Sequence, residues 1–228
     1  MKYAIISTHD SNYREFVKTT LYSNHKEYCD RHGYDLIVEE VDYSELRGFI
    51  QWKVILDNLT KYDWIWFVGC DTLVMNHTIK IEDKIDNSHH FIVSDDVNGP
   101  NAHSCLIRNS PEALEWINFI WNMRLTSYIH HDWADNKVLM DYYHQQPWSN
   151  IISVKPQRYM NSYLYQEIWG HTDESLLRAC ITGYIKHDMN FNLNYGQFQK
   201  GDWLLHMPGT GLETRMQIVQ NWNDKVIK

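Results

Sequence analysis

The run Trp64-Ile65-Trp66-Phe67-Val68 is apolar without the alternation that marks a strand with one wet face. Such a run belongs in a sheet covered on both sides, the usual situation of strands in α/β folds. It stops abruptly at Gly69-Cys70-Asp71, and a second short apolar run, Leu73-Val74-Met75, follows. In open α/β sheets ligands gather at the carboxyl ends of strands, so Asp71 stands where a binding crevice is expected. A carboxylate there has two readings: a turn cap after a buried strand, or an oxygen ligand for Mg²⁺ or Mn²⁺ and, through the metal, a diphosphate. This stretch alone leaves the two even.

The flanking segments extend the α/β pattern. Residues 3–7 read as a first strand, closed by the polar group Thr8-His9-Asp10-Ser11-Asn12. A helical stretch runs to about Arg31, with His32-Gly33 as its stop signal, and residues 35–41 form a second strand. Between 44 and 59, Leu46, Phe49, Ile50, Val54, Ile55 and Leu59 recur at helical spacing. Residues 90–94 and 104–107 are strand candidates flanking a polar loop, 95–102. Pro111 opens a helix to about Arg124, and another covers 135–144. Residues 151–154 form a short strand, and the aperiodic stretch 158–199, rich in Tyr, Asn and His, reads as an irregular acceptor-side lobe. A last strand, 202–206, ends in His206 before a terminal helix over 213–222. Strands alternating with helices imply an α/β sheet. With no internal repeat, low-complexity tract or linker, residues 1–228 read as one domain: a nucleotide-binding half to about 110 and an acceptor-side half after it.

Composition removes several function classes. With 43% hydrophobic and 22% charged residues the chain is globular. Its net charge of -8 argues against a nucleic-acid partner, which needs a clustered basic face, but leaves room for anions beside a bound metal. The 10 Trp and 15 Tyr are a weak pointer to sugar binding, since such rings also fill ordinary cores. Cys29, Cys70, Cys105 and Cys180 are widely spaced and form no CxxC pair, so reduced, largely buried thiols in a cytoplasmic protein are the simplest account. No run approaches the length of a membrane span, and residues 3–7 enter a strand with no basic-then-apolar leader.

Asp71 and His206 both end short apolar strands far apart in sequence. If the strands share one sheet region, a carboxylate and an imidazole converge on one divalent ion. Among 13 histidines any single one is more simply a hydrogen-bonded core or rim residue, but Gly201-Asp202 before His206 and Pro208-Gly209-Thr210-Gly211 after it favour a phosphate-facing turn. In the polar loop, Asp96, Asn98 and Asn101 have the donors and acceptors that suit sugar hydroxyls, while Asn98-Gly99-Pro100 locally reads as a plain surface turn. Asp135-Asn136 opens a helix and has a capping explanation of its own; Lys53 and Arg215 also lack a local functional reason.

In order along the chain, these segments resemble the α-galactosyl, xylosyl and mannosyl transferases of fungal Golgi and plant xyloglucan synthesis. Asn24 through Tyr34 resembles that family's Asn-Arg…Tyr-Ala…His-Gly-Tyr helix end, and Trp52-Lys53 its Trp-x-Lys pair. The run 64–76 resembles its Trp-Ile-Trp-Trp-Leu-Asp-x-Asp-x-x-Ile-Met-Asn, the metal-binding DxD segment. Residues 96–108 resemble Asp-Cys-Asn-Gly-Leu-Asn-Ala-Gly-Ser-Phe-Leu-Ile-Arg, the most specific of the matches. Asp135-Asn136 falls at its acidic-Gln pair, Arg158 and Asn161-Ser162-Tyr163 at its Arg…Asn-Ser-Tyr, and residues 201–209 at its Gly-Asp-x-x-x-His-x-x-Gly. Three positions depart: Gly69 replaces the first acid of DxD, His103 replaces a glycine, and Thr210-Gly211 replaces the Cys-Lys that usually follows.

The resemblance implies a GT-A fold and a retaining transferase using a nucleotide-diphospho-sugar with Mn²⁺ or Mg²⁺. Asp71 and His206 would hold the metal. Thr8, His9, Lys53, Gly209 and Arg215 would lie on the nucleotide side, Arg215 taking over phosphate neutralisation. Asp96, Asn98 and Asn101 would position donor sugar and acceptor, and Asp135 and Asn136 would lie beside the anomeric carbon. The acceptor would be a glycan or glycoprotein. Family members of the secretory pathway carry a membrane anchor, so this sequence is expected to be a soluble cytoplasmic enzyme of bacterial or viral type. Two rivals stand beside it: an inverting transferase with Asp96 or Asp135 as general base, and an inactive sugar- or nucleotide-binding module, suggested by Gly69.

Overall fold

β3 (Trp64–Val68) is buried at every position, as its unbroken apolar run requires. In this computed structural model, which describes residues 1–175 and 192–228, it lies near the middle of a six-stranded mixed sheet. The order is β2 (Asp35–Glu40), β1 (Tyr3–His9), β3, β6 (Gly99–Arg108), β5 (Phe91–Asp96) and β7 (Ile152–Lys155). β1 runs parallel to β2 and β3, β6 is antiparallel to both β3 and β5, and β7 is parallel to β5. The expected α/β sheet is therefore present.

Because successive side chains of a strand face opposite ways, β3 feeds two cores. Ile65 and Phe67 join Ala4, Ile6, Val93 and Ile107 against the helices Phe49–Leu59, Pro111–Met123 and Ala134–Tyr142. Trp64, Trp66 and Val68 face the other way, onto Tyr28, Ile81, Met160 and Trp203. Trp66 and Trp203 stack with centroids 4.0 Å apart and 22° between planes.

A second, two-stranded sheet pairs β4 (Thr72–Val74) with β8 (Leu204–His206). Leu73 and Leu205 pack there with Phe16, Val17, Ile218 and Val219. The pairing is antiparallel with Thr72 opposite His206, so the ends of two sequence-distant strands meet.

Three expectations change in detail. The helical stretch to Arg31 is interrupted by a π turn, Thr20–His25, between the α-helices Arg14–Thr19 and Lys26–His32. The π turn aims Asn24 at β4, whose free edge it pairs: Val74 N donates to Asn24 Oδ1 at 2.8 Å and Asn24 Nδ2 donates to Val74 O at 3.0 Å. The helix expected over 44–59 is two helices, Tyr43–Leu46 and Phe49–Leu59, broken where Arg47 takes φ 47°. Gly48 at that break is required by close approach: a Cβ there would lie 1.9 Å from Asp135 Oδ1. The polar loop expected over 95–102 is not a plain surface turn. Both strands continue into it, Asp96 pairing with Gly99 across Val97-Asn98, with an irregularity in register after Val93.

Of the irregular stretch 158–199, the described part holds the short helices Tyr165–Trp169 and Leu193–Gly196. Residues 176–191, with Cys180, lie outside the described residues. No helix among the described residues is long and apolar enough to cross a membrane.

Candidate active site

A cleft of about 740 Å³ opens beyond the carboxyl ends of β1 and β3, walled by the β5–β6 turn and the start of the helix Ala134–Tyr142. Its position follows the rule for open α/β sheets, where the ends of diverging strands leave a crevice. Asp71 lies at its floor, 7% exposed.

The two oxygens of Asp71 have different neighbours. Oδ2 is 2.8 Å from Arg215 Nη2, and Oδ1 is 3.3 Å from His206 Nε2. Burial alone would raise the Asp71 carboxyl, but His206, Arg215 and His103 more than offset it and hold the group well below the usual carboxylate range. His206 is fully buried, and its Nδ1 donates to Asn161 Oδ1 at 2.7 Å. That bond occupies Nδ1 and leaves Nε2 as the ring nitrogen that faces Asp71. Beyond that 3.3 Å approach to Asp71, no hydrogen-bond partner reaches His206 Nε2 among the described residues, an arrangement of the kind a metal between the two satisfies. His103, from β6, completes the group: donor atoms of Asp71, His103 and His206 all lie within 4.8 Å of one another. A carboxylate with two imidazoles fits a divalent ion such as Mn²⁺.

Arg215 is more committed than a free phosphate ligand. Besides Asp71, its guanidinium donates to Met207 O at 3.0 Å through Nε and to Tyr13 Oη through Nη1. It therefore fixes the orientation of Asp71 while still facing the cleft.

The turn between β5 and β6 builds a polar wall. Asp96 Oδ2 accepts from Tyr163 Oη at 2.7 Å and Asn101 Nδ2 at 2.8 Å, and its Oδ1 accepts from Asn98 N at 2.7 Å. Opposite, Asp135 Oδ2 accepts from Gln51 Nε2 at 2.6 Å and Trp52 Nε1 at 2.8 Å. Asn136 Oδ1 accepts from Ala102 N at 2.8 Å, tying the helix start to β6. At the end of β1, Thr8 Oγ1 shares a 2.6 Å hydrogen bond with Tyr43 Oη. Gly209, with φ 65°, lets the chain turn at the cleft edge where a side chain would be strained.

Thr8, His9, Asp71, Asp96, Asn98, Asn101, Asp135, Asn136, Gly209 and Arg215 all face this cleft, with His206 behind Asp71. Lys53 does not and is corrected. It lies on the outer face of the helix Phe49–Leu59 and pairs with Asp57 one turn away, while its neighbour Trp52 turns inward to Asp135. Sequence reasoning missed His103 as a possible ligand and Tyr13, Tyr43, Gln51 and Tyr163 as cleft residues. His103 carried a signal, a histidine standing in a small-residue turn, and Tyr163 stood in the Asn-Ser-Tyr resemblance without a role; the others read as ordinary aromatic and helical positions.

Comparison with known proteins gives the same picture at three levels. A 27% identical relative over 238 residues is an alpha-1,2-galactosyltransferase of Schizosaccharomyces pombe, the alignment covering 81% of this chain and 62% of the relative. A probable alpha-1,6-mannosyltransferase, MNN10 of Saccharomyces cerevisiae, is 21% identical over 181 residues, 61% of this chain and 46% of that protein. The chain thus spans between about half and two thirds of the length of these relatives. A glycosyltransferase involved in the glycosylation of the major capsid of PBCV-1 superposes with a TM-score of 0.70 at 16% identity, over 97% of this chain and 100% of the other. The galactosyltransferase LgtC, solved with donor and acceptor sugar analogs, gives 0.55 at 13% identity over 97% and 99%. The fold is GT-A, as expected from sequence. A family model matches residues 4–88 and 84–215, which take in every cleft residue named above, and the chain belongs to the galactosyl transferase GMA12/MNN10 family.

Proposed function

We propose that this protein is a metal-dependent glycosyltransferase, a single catalytic domain that moves a hexose or pentose from a UDP-sugar, or mannose from GDP-mannose, onto a glycan or glycoprotein with retention of configuration. The observation that carries the reading is the buried Asp71–His206 pair at the floor of the cleft, with Nε2 of the imidazole 3.3 Å from the carboxylate and no hydrogen-bond partner besides it among the described residues. Asp71 and His206 would hold a divalent ion, which when bound would supply charge stabilisation to the departing diphosphate, a role that needs no protein nucleophile.

The chain's own groups bind and orient. Thr8 and His9 sit where the nucleotide would enter, and Gly209 lets backbone approach its phosphates. Asn98 presents its carboxamide to sugar hydroxyls, while Asn101, with Nδ2 held by Asp96 and Tyr163, would offer its Oδ1 as an acceptor; two of the three hydrogen bonds to Asp96 anchor these residues. In retention by front-face attack, the acceptor oxygen bonds to the anomeric carbon as the bond from that carbon to phosphate oxygen breaks. The electron pair leaves with the diphosphate, which takes up the acceptor's proton. Asp135 and Asn136 would line the anomeric region. With Oδ2 taken up by Gln51 and Trp52, Asp135 suits a positioning role more than that of nucleophile or base. The occupied oxygens of Asp96 likewise speak against the inverting reading.

A cytoplasmic site of action belongs to the same proposal, consistent with the buried free thiols of Cys29 and Cys105. The test is a screen of UDP-galactose, UDP-glucose, UDP-xylose and GDP-mannose for transfer or hydrolysis with and without Mn²⁺, followed by NMR of the product anomer. Metal-dependent turnover with a retained anomer is expected. An inverted product would sink retention, and no metal-dependent turnover with any of the donors would favour the inactive module.

A further inference from the structure

Position 69 is adjacent to the carboxylate that matters most. A Cβ on Gly69 would stand 2.8 Å from Asp71 Oδ1, so any side chain there displaces that oxygen unless its surroundings change. The next atoms such a Cβ would meet belong to His103, its Cβ at 3.6 Å and its carbonyl oxygen at 3.7 Å. The two residues are joined directly, Gly69 N donating to His103 O at 2.8 Å, just past the Val68–Ser104 pair that ends the β3–β6 ladder. The imidazole of His103 lies beside that of His206, with centroids 5.8 Å apart. One residue without a side chain and one with a large, metal-binding side chain thus share the same flank of Asp71.

We propose that His103 is the third protein ligand of the metal, filling from β6 the place left empty where Gly69, just past β3, has no side chain. The proposal rests on the metal-dependent reading above and adds a ligand and a metal preference to it. Ligand atoms about 2.1 Å from one ion lie about 3 to 4 Å apart, so the three donors close on an ion with shifts of about an ångström. Two imidazoles and one carboxylate make a nitrogen-rich set. Mg²⁺ prefers oxygen and holds its waters, whereas Mn²⁺ binds nitrogen more tightly than Mg²⁺ does, and Co²⁺ and Zn²⁺ more tightly still. The protein is expected to discriminate strongly against Mg²⁺. Positions 69 and 103 are also expected to be coupled, because an acid at 69 and the imidazole at 103 would compete for the same flank of Asp71.

The experiment uses Mn²⁺ alone with the full chain, read by electron spin echo modulation from coordinated ¹⁴N and by equilibrium titration. The wild type should show two imidazole nitrogens. His103→Ala and the volume-preserving His103→Gln should each show one, with Mn²⁺ binding weakened about tenfold or more, since even outer-shell partners of a metal are worth that much. Gly69→Asp alone should weaken Mn²⁺ binding, and Gly69→Asp with His103→Gly should recover it with a single nitrogen and less discrimination against Mg²⁺. Two nitrogens and unchanged affinity in both His103 variants would overturn the proposal, as would a single nitrogen in the wild type. No nucleotide sugar enters these measurements. A failure at His103 therefore leaves the transferase reading standing, and lack of turnover with an intact two-nitrogen site would count against that reading alone.

Discussion

Asn161 accepts the Nδ1 proton of His206 at 2.7 Å and is itself fully buried, with its Nδ2 3.1 Å from Tyr163 Oη. This bond sets which imidazole nitrogen is free, so Asn161 positions a ligand without touching metal or substrate. Replacing it by alanine should lower Mn²⁺ affinity by about 10- to 100-fold, the range for outer-shell partners of metal-bound histidine. Asn161→Asp keeps an acceptor at the same place and should retain most of the affinity. Equal losses in the two variants would reduce Asn161 to packing. Lys53 provides the contrast at this scale. Its ion pair with Asp57 is exposed, and such pairs contribute about 0–1 kcal/mol. Lys53→Ala should leave donor KM and turnover unchanged, and a large rise in KM would restore the role that sequence position suggested for it. The pair Trp52-Lys53 was legible as a pair, but which member mattered was not. That depends on which face of the helix meets Asp135, a tertiary fact.

The β5–β6 turn shows where sequence reading runs out at the scale of elements. Asp95 through Asn101 has the composition of a surface turn, and nothing local distinguishes polar side chains facing solvent from polar side chains facing a cleft. The structure buries Asp95 and Asp96 at 6% and 4% exposure, and turns the chain at Val97-Asn98. The π turn was equally invisible, because a single inserted residue shifts the apolar phase only once, and 11–32 has too few apolar residues on either side to show the shift. Burying Asp95 has a consequence for stability. Burial pushes its carboxyl up to about 7, although Tyr195 Oη donates to Oδ2 at 2.6 Å. A carboxyl raised in the folded state binds its proton more tightly there than in the unfolded chain. Stability therefore falls as pH rises from about 4, the ordinary value, to about 7. Asp95→Asn removes that titration. Its melting temperature relative to wild type should climb between pH 5 and pH 8, and parallel profiles for the two proteins would show that Asp95 is ionised throughout.

At the scale of the whole molecule, the long-range meeting of Asp71 and His206 was legible only as a condition, that their strands share a sheet region. The condition is met by a small sheet distinct from the main one, and the two sheets are held together partly by Trp66 stacked on Trp203. Pairing between strands remote in sequence leaves no periodic trace, which is why the ordered motifs carried more than any local pattern did. The geometry separates two ways in which the ligand set could be held. In the first, the β4–β8 ladder fixes it locally, since Thr72 faces His206, Met207 N donates to Asp71 O at 3.0 Å and Met75 N to Trp203 O at 2.7 Å. In the second, the seating of that ladder on the main sheet sets the spacing. Trp203→Ala removes the stack and a fully buried ring but none of the backbone bonds, and should destabilise the protein by about 3–5 kcal/mol in denaturant unfolding. If the ladder governs, the folded variant should bind Mn²⁺ within a few-fold of wild type at low temperature, while Trp203→Phe loses less stability and keeps full affinity. A loss in Trp203→Ala as large as that of Asn161→Ala would mean instead that the ligands depend on the packing between sheets, and the local account of the site would have to be given up.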